Sequence, residues 1–245
     1  MQDVDRGDGI RLAYALSPGA GPTVVFLPGF MSDMTGDKAL AVEAFCRARG
    51  TACLRLDYAG HGASSGAFVD GTIGRWTDDA LFLIDTLTAG PILPVGSSMG
   101  GWIALHVALA RPDRVAALIG IAAAPDFTET LMWDAMAPPE RETLLRDGLL
   151  RIPSQYGGEQ IVTRALIEDG RTRLLLHAPV AIACPVRLLH GMQDPDVPWE
   201  TALKLAGRLQ SADVQTTLVK DGDHRLSRPP DIALLCRVLG ALLEY

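Results

Sequence analysis

Short apolar runs, each cut off by turn residues, alternate with helix-length stretches along most of this 245-residue chain, and that alternation restricts the possible folds more than any other feature. The runs are TVVFLPGF (23–30), ACLRLDYAG (52–60), PILPVG (91–96), VAALIGIAAA (115–124), PVRLLHG (185–191) and DVQTTLVK (213–220). Helical spacing marks DKALAVEAFCRARG, TIGRWTDDALFLIDTL, MGGWIALHVALA, WETALKLAGRL and PPDIALLCRVLGALLEY. Strands buried on both faces of a parallel sheet read as such short, continuous apolar runs. Repetition of strand and helix then calls for right-handed crossovers with helices on both faces. The expected class is α/β, with a mostly parallel central sheet. The opening DVDRGDGIRLAYALSPG breaks the pattern and reads as a hairpin at the sheet edge, turned by Gly7, Asp8 and Gly9.

A second break is longer. Between about residues 125 and 179 no strand is predicted, only helical patterns: FTETLMWDAM, PPERETLLRDGLL and EQIVTRALIEDG. An insertion of this length between two strands is expected to form a helical lid. No repeat or linker divides the chain, so a single domain, residues 1–245, is expected with the lid, 125–179, inserted in it.

Composition narrows the function classes. Hydrophobic residues make up 48% of the chain, enough to fill a large core. The net charge of −7 comes from interspersed acids and bases, without the basic stripe of a nucleic-acid surface. No apolar run is long enough to span a bilayer. Cys46, Cys53, Cys184 and Cys236 are scattered and form no metal-ligand spacing, so free thiols and no metal are expected. The N-terminal MQDVDRGDG is neither a secretory signal nor an Arg-rich transit peptide, which makes the cytoplasm the expected location.

The pattern G-x-S-x-G occurs twice, at Gly96-Ser97-Ser98-Met99-Gly100 and at Gly62-Ala63-Ser64-Ser65-Gly66. A serine hydroxyl reacts only when it is exposed, aligned with a base and given donors for the oxyanion it creates. A strand that ends in a sharp turn and passes at once into a helix meets the first need. Ser98 has that setting, between PILPVG and MGGWIALHVALA; Ser64 follows a loop and precedes no helix. Ser98 is therefore the candidate nucleophile.

Its partners are expected downstream, in the order acid then histidine. Of the five histidines, His224 lies in KDGDHRLSRPP between the last strand and the last helix, at the same sheet edge as Ser98. LLHGMQDPDVP offers Asp194 and Asp196; Asp194 comes first after the strand, while Asp196 sits between two prolines and could cap the next helix. Two backbone amides are candidates for the oxyanion hole: that of Met99, which follows the nucleophile, and that of Phe30, after VVFLPG. In the insertion, Leu131, Met132, Trp133 and Met136 could line an apolar acyl slot, or could anchor the lid to the body.

With these pieces placed, the chain resembles the α/β-hydrolase superfamily. PGFMSDMTGDKALAVEAFC, RLDYAGHGASSG, GSSMGGWIALHVALARPDRVAALIGIAAA, CPVRLLHGMQDPDVPW and GDHRLS follow the order found in the abhydrolase-domain-ten family, serine hydrolases of animal mitochondria. The resemblance runs from about Val24 to the C-terminus. It implies an α/β-hydrolase fold, a Ser98–His224–Asp194 triad, no cofactor, and activity on esters or on acyl thioesters, including acylated proteins and acyl-glucuronide conjugates. One departure is that no organellar targeting segment precedes Met1, so a bacterial relative is expected, whose substrate need not be that of the animal enzymes. Two alternatives stand beside this reading: a peptidase using the same triad, for which Glu140, Glu142 and Glu159 are too scattered to grip a free N-terminus, and, from a different class, a non-catalytic small-ligand-binding module.

Overall fold

Burial with a period of two fixes the layers. In β3 (Ala20–Leu27), Val25 and Leu27 belong to one core while Val24 and Phe26 belong to the other. Leu54 and Leu56 of β4 (Thr51–Leu56) face the first core and Cys53 the second. Successive side chains of a strand point to opposite faces, so a sheet built from such strands is covered on both sides. The computed structural model describes residues 1–153 and 158–244. Residues 154–157 of the expected lid and Tyr245 of the last helical stretch lie outside the described residues.

The remaining strands are β1 (Gln2–Asp5), β2 (Arg11–Ser17), β5 (Ile92–Ser97), β6 (Leu118–Ile121), β7 (Leu149–Pro153), β8 (Glu159–Thr163), β9 (Val186–Gly191) and β10 (Val214–Val219). Among the described residues, eight of the ten strands form one sheet in the order β1-β2-β4-β3-β5-β6-β9-β10. Pairing is parallel from β4 to β10; β2 is antiparallel to both β1 and β4, as the expected edge hairpin requires. The helices are α1 (Asp37–Ala48), α2 (Ile73–Leu87), α3 (Met99–Ala110), α4 (Pro138–Asp147), α5 (Arg164–Arg171), α6 (Glu200–Arg208) and α7 (Pro229–Leu243). Residues of α2, α3 and α6 pack into the first core, and those of α1 and α7 into the second. α3 is apolar all round because sheet, α2 and insertion enclose it. The four cysteines are free, with Cys46 and Cys53 buried.

The insertion corrects the expectation that it holds no strand. α4 stops at Gly148, whose φ of 77° ends the helix in the left-handed region. Leu149–Pro153 then pairs with Glu159–Thr163 in an antiparallel hairpin, and only Arg164–Arg171 of the third pattern is helical. β-branched Ile161, Val162 and Thr163 favour the pleat, and Thr163 caps α5 by accepting from the Leu166 amide at 3.0 Å. The first pattern, Thr128–Trp133, is a π-helical turn. Asp126 clasps the two ends of the insertion, its carboxylate accepting from the amides of Leu175 (2.8 Å) and Leu176 (2.9 Å).

Candidate active site

β5 ends at Ser97 and α3 begins at Met99, which leaves Ser98 alone at the turn with φ 55° and ψ −120°. A residue with a Cβ persists in that region only when its surroundings over-determine it. Here the Ser98 N–H donates to the Ile121 carbonyl (2.9 Å), and the Ser98 carbonyl accepts from the amides of Gly101 (2.9 Å) and Ala124 (3.1 Å). Among the described residues, the other non-glycine positions with positive φ are Met31, Ala122, Asp126 and Leu226. Each follows the carboxyl end of a strand, so backbone strain gathers at the edge where Ser98 sits.

Ser98 Oγ lies 3.1 Å from His224 Nε2, and His224 Nδ1 lies 2.7 Å from Asp194 Oδ2. The three groups that the sequence placed on three different loops thus form one hydrogen-bonded chain. The Asp194 side chain is wholly buried, while that of His224 keeps some exposure. The second Asp194 oxygen accepts from the amides of Asp196 (2.8 Å) and Val197 (2.9 Å), which closes a turn around the carboxylate. Burial works against its charge, but N–H donors from His190, His224 and the Val197 backbone outweigh burial and hold the carboxyl far below the usual range. Asp194 is therefore an anion at any working pH.

His190 is the member that sequence reasoning missed. It is the penultimate residue of β9, is fully buried, and places Nε2 3.0 Å from the Val197 carbonyl and 3.2 Å from Asp194 Oδ2. Its position just before a Gly turn was legible; its direction was not, because that depends on how residues 194–197 fold back. Ser64, in the other G-x-S-x-G, spends its hydroxyl on backbone groups, accepting from the Ala13 amide (2.8 Å) and donating to the Asp57 carbonyl (2.7 Å).

The hydroxyl of Ser98 opens into a cavity of about 630 Å³. Its apolar wall includes Phe30, Phe127, Leu131 and Met132; its polar wall includes Lys38, Gln160, Asp196 and Arg225. Burial, reinforced by the charge of Arg225, brings the Lys38 ammonium down to about 8. Phe30 is pinned edge-on by Phe68, Trp76 and Phe127, at ring distances of 5.0, 5.9 and 5.8 Å. The Met99 side chain is buried in the core, so only its backbone N–H, the first of α3, is available to a ligand.

Two expected cavity residues are elsewhere. Trp133 does not line the cavity but is held between the guanidinium groups of Arg171 (4.4 Å) and Arg141 (5.1 Å). Met136 is buried in the first core and is likewise absent from the cavity wall. Leu131 and Met132 line the cavity, and Trp133, the next residue of the turn, points away from it. Among the described residues, Asp194, Asp196 and His224 are the group whose ligand atoms could converge on a metal, within 4.8 Å of one another. Two of the three are already bonded to each other.

Residues 24–233 match the model of the alpha/beta hydrolase family. The chain is 42% identical over 243 residues to the Homo sapiens protein named Palmitoyl-protein thioesterase ABHD10, mitochondrial, covering 98% of this chain and 79% of that one. A solved structure from Agrobacterium vitis S4 superposes with a TM-score of 0.94 at 42% identity, covering 99% of this chain and 97% of that one. Alpha/beta hydrolase domain-containing protein 10 from mouse superposes with a TM-score of 0.92 at 40% identity, covering 99% and 98%. Among the described residues, no helix is long and apolar enough to cross a membrane.

Proposed function

The chain belongs to the alpha/beta hydrolase family, and from that premise we propose that it is a serine hydrolase that cleaves carboxylic esters or thioesters of apolar acyl groups through an acyl-enzyme. The observation that carries the proposal is the chain of contacts from Asp194 through His224 to Ser98, 2.7 and 3.1 Å long. In this reading His224 Nε2 takes the Ser98 proton as Oγ attacks the acyl carbonyl. Asp194 accepts from His224 Nδ1, fixing the tautomer and stabilising the imidazolium that forms. The amides of Phe30 and Met99 hold the oxyanion. His224 then protonates the departing alcohol or thiol, and water repeats the sequence to release the acid. No metal or cofactor takes part.

The cavity supports an acyl preference. Phe30, Phe127, Leu131 and Met132 form a wall that would take a medium or long apolar chain, while Lys38, Asp196 and Arg225 leave the other side for a polar leaving group. Residues 125–179 act as the lid over that chain in this reading, clasped at their base by Asp126. The human relative's name specifies palmitoyl-protein thioesters, and an acylated protein thiol is a substrate this chain would share with it.

A fluorophosphonate probe tests the nucleophile. Wild-type protein is expected to label and Ser98→Ala to remain unlabelled; an unlabelled wild type would leave a binding module instead. Matched pairs of esters and thioesters with the same acyl chain then decide which bond is preferred.

A further inference from the structure

We propose that His190 is a positioning residue of this site, donating its Nε2–H to Asp194 Oδ2 and the Val197 carbonyl so that the carboxylate is locked in orientation and shared between two imidazoles. The inference rests on the reading of Ser98, His224 and Asp194 as a working triad.

The chemistry of the neighbours dictates the tautomer. Nε2 of His190 faces a carbonyl oxygen at 3.0 Å and a carboxylate oxygen at 3.2 Å, both acceptors only. Nε2 must therefore carry the proton, which leaves Nδ1 as the bare nitrogen. That Nδ1 is buried without a hydrogen-bond partner among the described residues. An N–H on that nitrogen would be buried with no acceptor, so the geometry favours the Nε2–H tautomer.

The same donor closes the turn from both ends. Val197 gives its N–H to Asp194 Oδ1 and takes the His190 proton on its carbonyl. Residues 194–197 are thereby sealed onto the end of β9, and the Asp194 carboxylate has a donor at every face: two amides on Oδ1, two imidazoles on Oδ2. An acceptor whose charge is divided among four donors stabilises each of them less. His190 thus restrains how strongly Asp194 can favour the imidazolium of His224. The other charged groups around the site are Asp196, close to both Asp194 and His224, Asp33, Asp37, Lys38 and Arg225 on the cavity wall, and Asp223, whose backbone packs on Gly191.

The test combines a profile with a spectrum. In His190→Leu the acid limb of kcat/KM against pH, measured on a p-nitrophenyl ester, is expected to move upward by about half a pH unit or more, because Asp194 concentrates on His224. The same variant should lose on the order of tenfold in kcat. His190→Gln, which can still present an N–H at the Nε2 position, should restore both. A merely structural role would lower stability in both variants and leave the acid limb in place, and that result, or a Gln variant that behaves like Leu, would overturn the proposal. Nitrogen-15 NMR of the wild type needs no variant to fold: the Nε2–H tautomer is expected, and the opposite tautomer would sink the proposal. Failure of the triad itself reads differently, as wild-type turnover that survives Ser98→Ala.

Discussion

A Cβ built on Gly100 would lie 2.1 Å from the carbonyl oxygen of Leu27, the last residue of β3. The start of α3 and the loop carrying Phe30 are therefore in backbone contact, with no side chain able to come between them. Two effects of Gly100→Ala oppose each other. Alanine favours a helix over glycine by about 1 kcal/mol. Forcing a methyl group into a packed site costs about 1–3 kcal/mol, toward the upper end where it meets main chain that cannot rotate away. The clash is expected to win, lowering the urea midpoint and slowing fluorophosphonate labelling as the Phe30 loop is pushed off Ser98. A variant more stable than wild type would mean that the loop yields freely.

Asp57 holds that same loop from the other side. Its buried carboxylate accepts from the Met34 amide at 2.7 Å and the Ala63 amide at 2.9 Å, and the Arg55 guanidinium adds a bond to the Met34 carbonyl. Asp57→Ala strands two buried N–H groups, a loss of about 2–5 kcal/mol. Asp57→Asn keeps one acceptor but turns an NH₂ group toward an N–H, so it is expected to rescue little. Both variants should also lose kcat, since residues 30–34 carry the proposed oxyanion donor. Denaturation and steady-state kinetics on the same preparations check the pair of effects; full activity with lost stability would separate the loop from the chemistry.

His61 makes the fold acid-sensitive. It is enclosed by Tyr58, Phe68 and Trp76 at ring distances of 5.5, 5.1 and 5.0 Å, and burial pushes its pKa down to about 4. In the unfolded chain the value is about 6.5. Above that pH both states are neutral and the ring contributes no pH dependence. Below it the unfolded chain binds a proton that the folded ring refuses, so stability falls as the pH drops from about 6.5 to 4, by on the order of 3 kcal/mol in full. His61→Phe is expected to lessen the slope of melting temperature across that window, leaving the share of His106, which burial likewise brings down to about 4. An unchanged slope would assign the acid sensitivity to other groups.

Much of this was legible in the sequence because burial on both faces writes a strand as an uninterrupted apolar run. TVVFLPGF and PILPVG became β3 and β5 for that reason. Ser98, His224 and Asp194 could be grouped because a parallel sheet brings the loops after its strands to one edge. The hairpin of β7 and β8 was hidden. Its strands are five residues each and mostly exposed or half-buried, so LLRIP and EQIVT carry too little periodicity to separate strand from helix. The partner of His190 was hidden for a different reason: a hydrogen bond across a turn depends on backbone direction, which residue types do not encode. Trp133 misled because an aromatic beside two methionines reads as a pocket, while the arginines that stack on it lie 8 and 38 positions further along the chain.

The contrast between Met132 and Trp133 gives a test of the acyl slot. Met132 faces the cavity that contains Ser98, whereas Trp133, the next residue, is clamped between Arg141 and Arg171, with Arg171 bonded in turn to Glu129 at 2.6 Å. If the apolar wall holds the acyl chain, filling it should penalise long chains and spare short ones. Met132→Trp is expected to lower kcat/KM for p-nitrophenyl palmitate by on the order of tenfold while leaving the acetyl ester close to wild type, in keeping with the 1–3 kcal/mol that a hydrophobic pocket of changed size discriminates. Trp133→Ala should leave the chain-length profile flat relative to wild type and lower only stability, by about 1 kcal/mol for each of its cation–π pairs. The two variants change adjacent residues of one helical turn, so a general loosening of the insertion would affect both profiles alike. Equal losses on acetyl and palmitoyl esters in Met132→Trp would place the acyl group elsewhere, along the polar wall of Lys38 and Arg225.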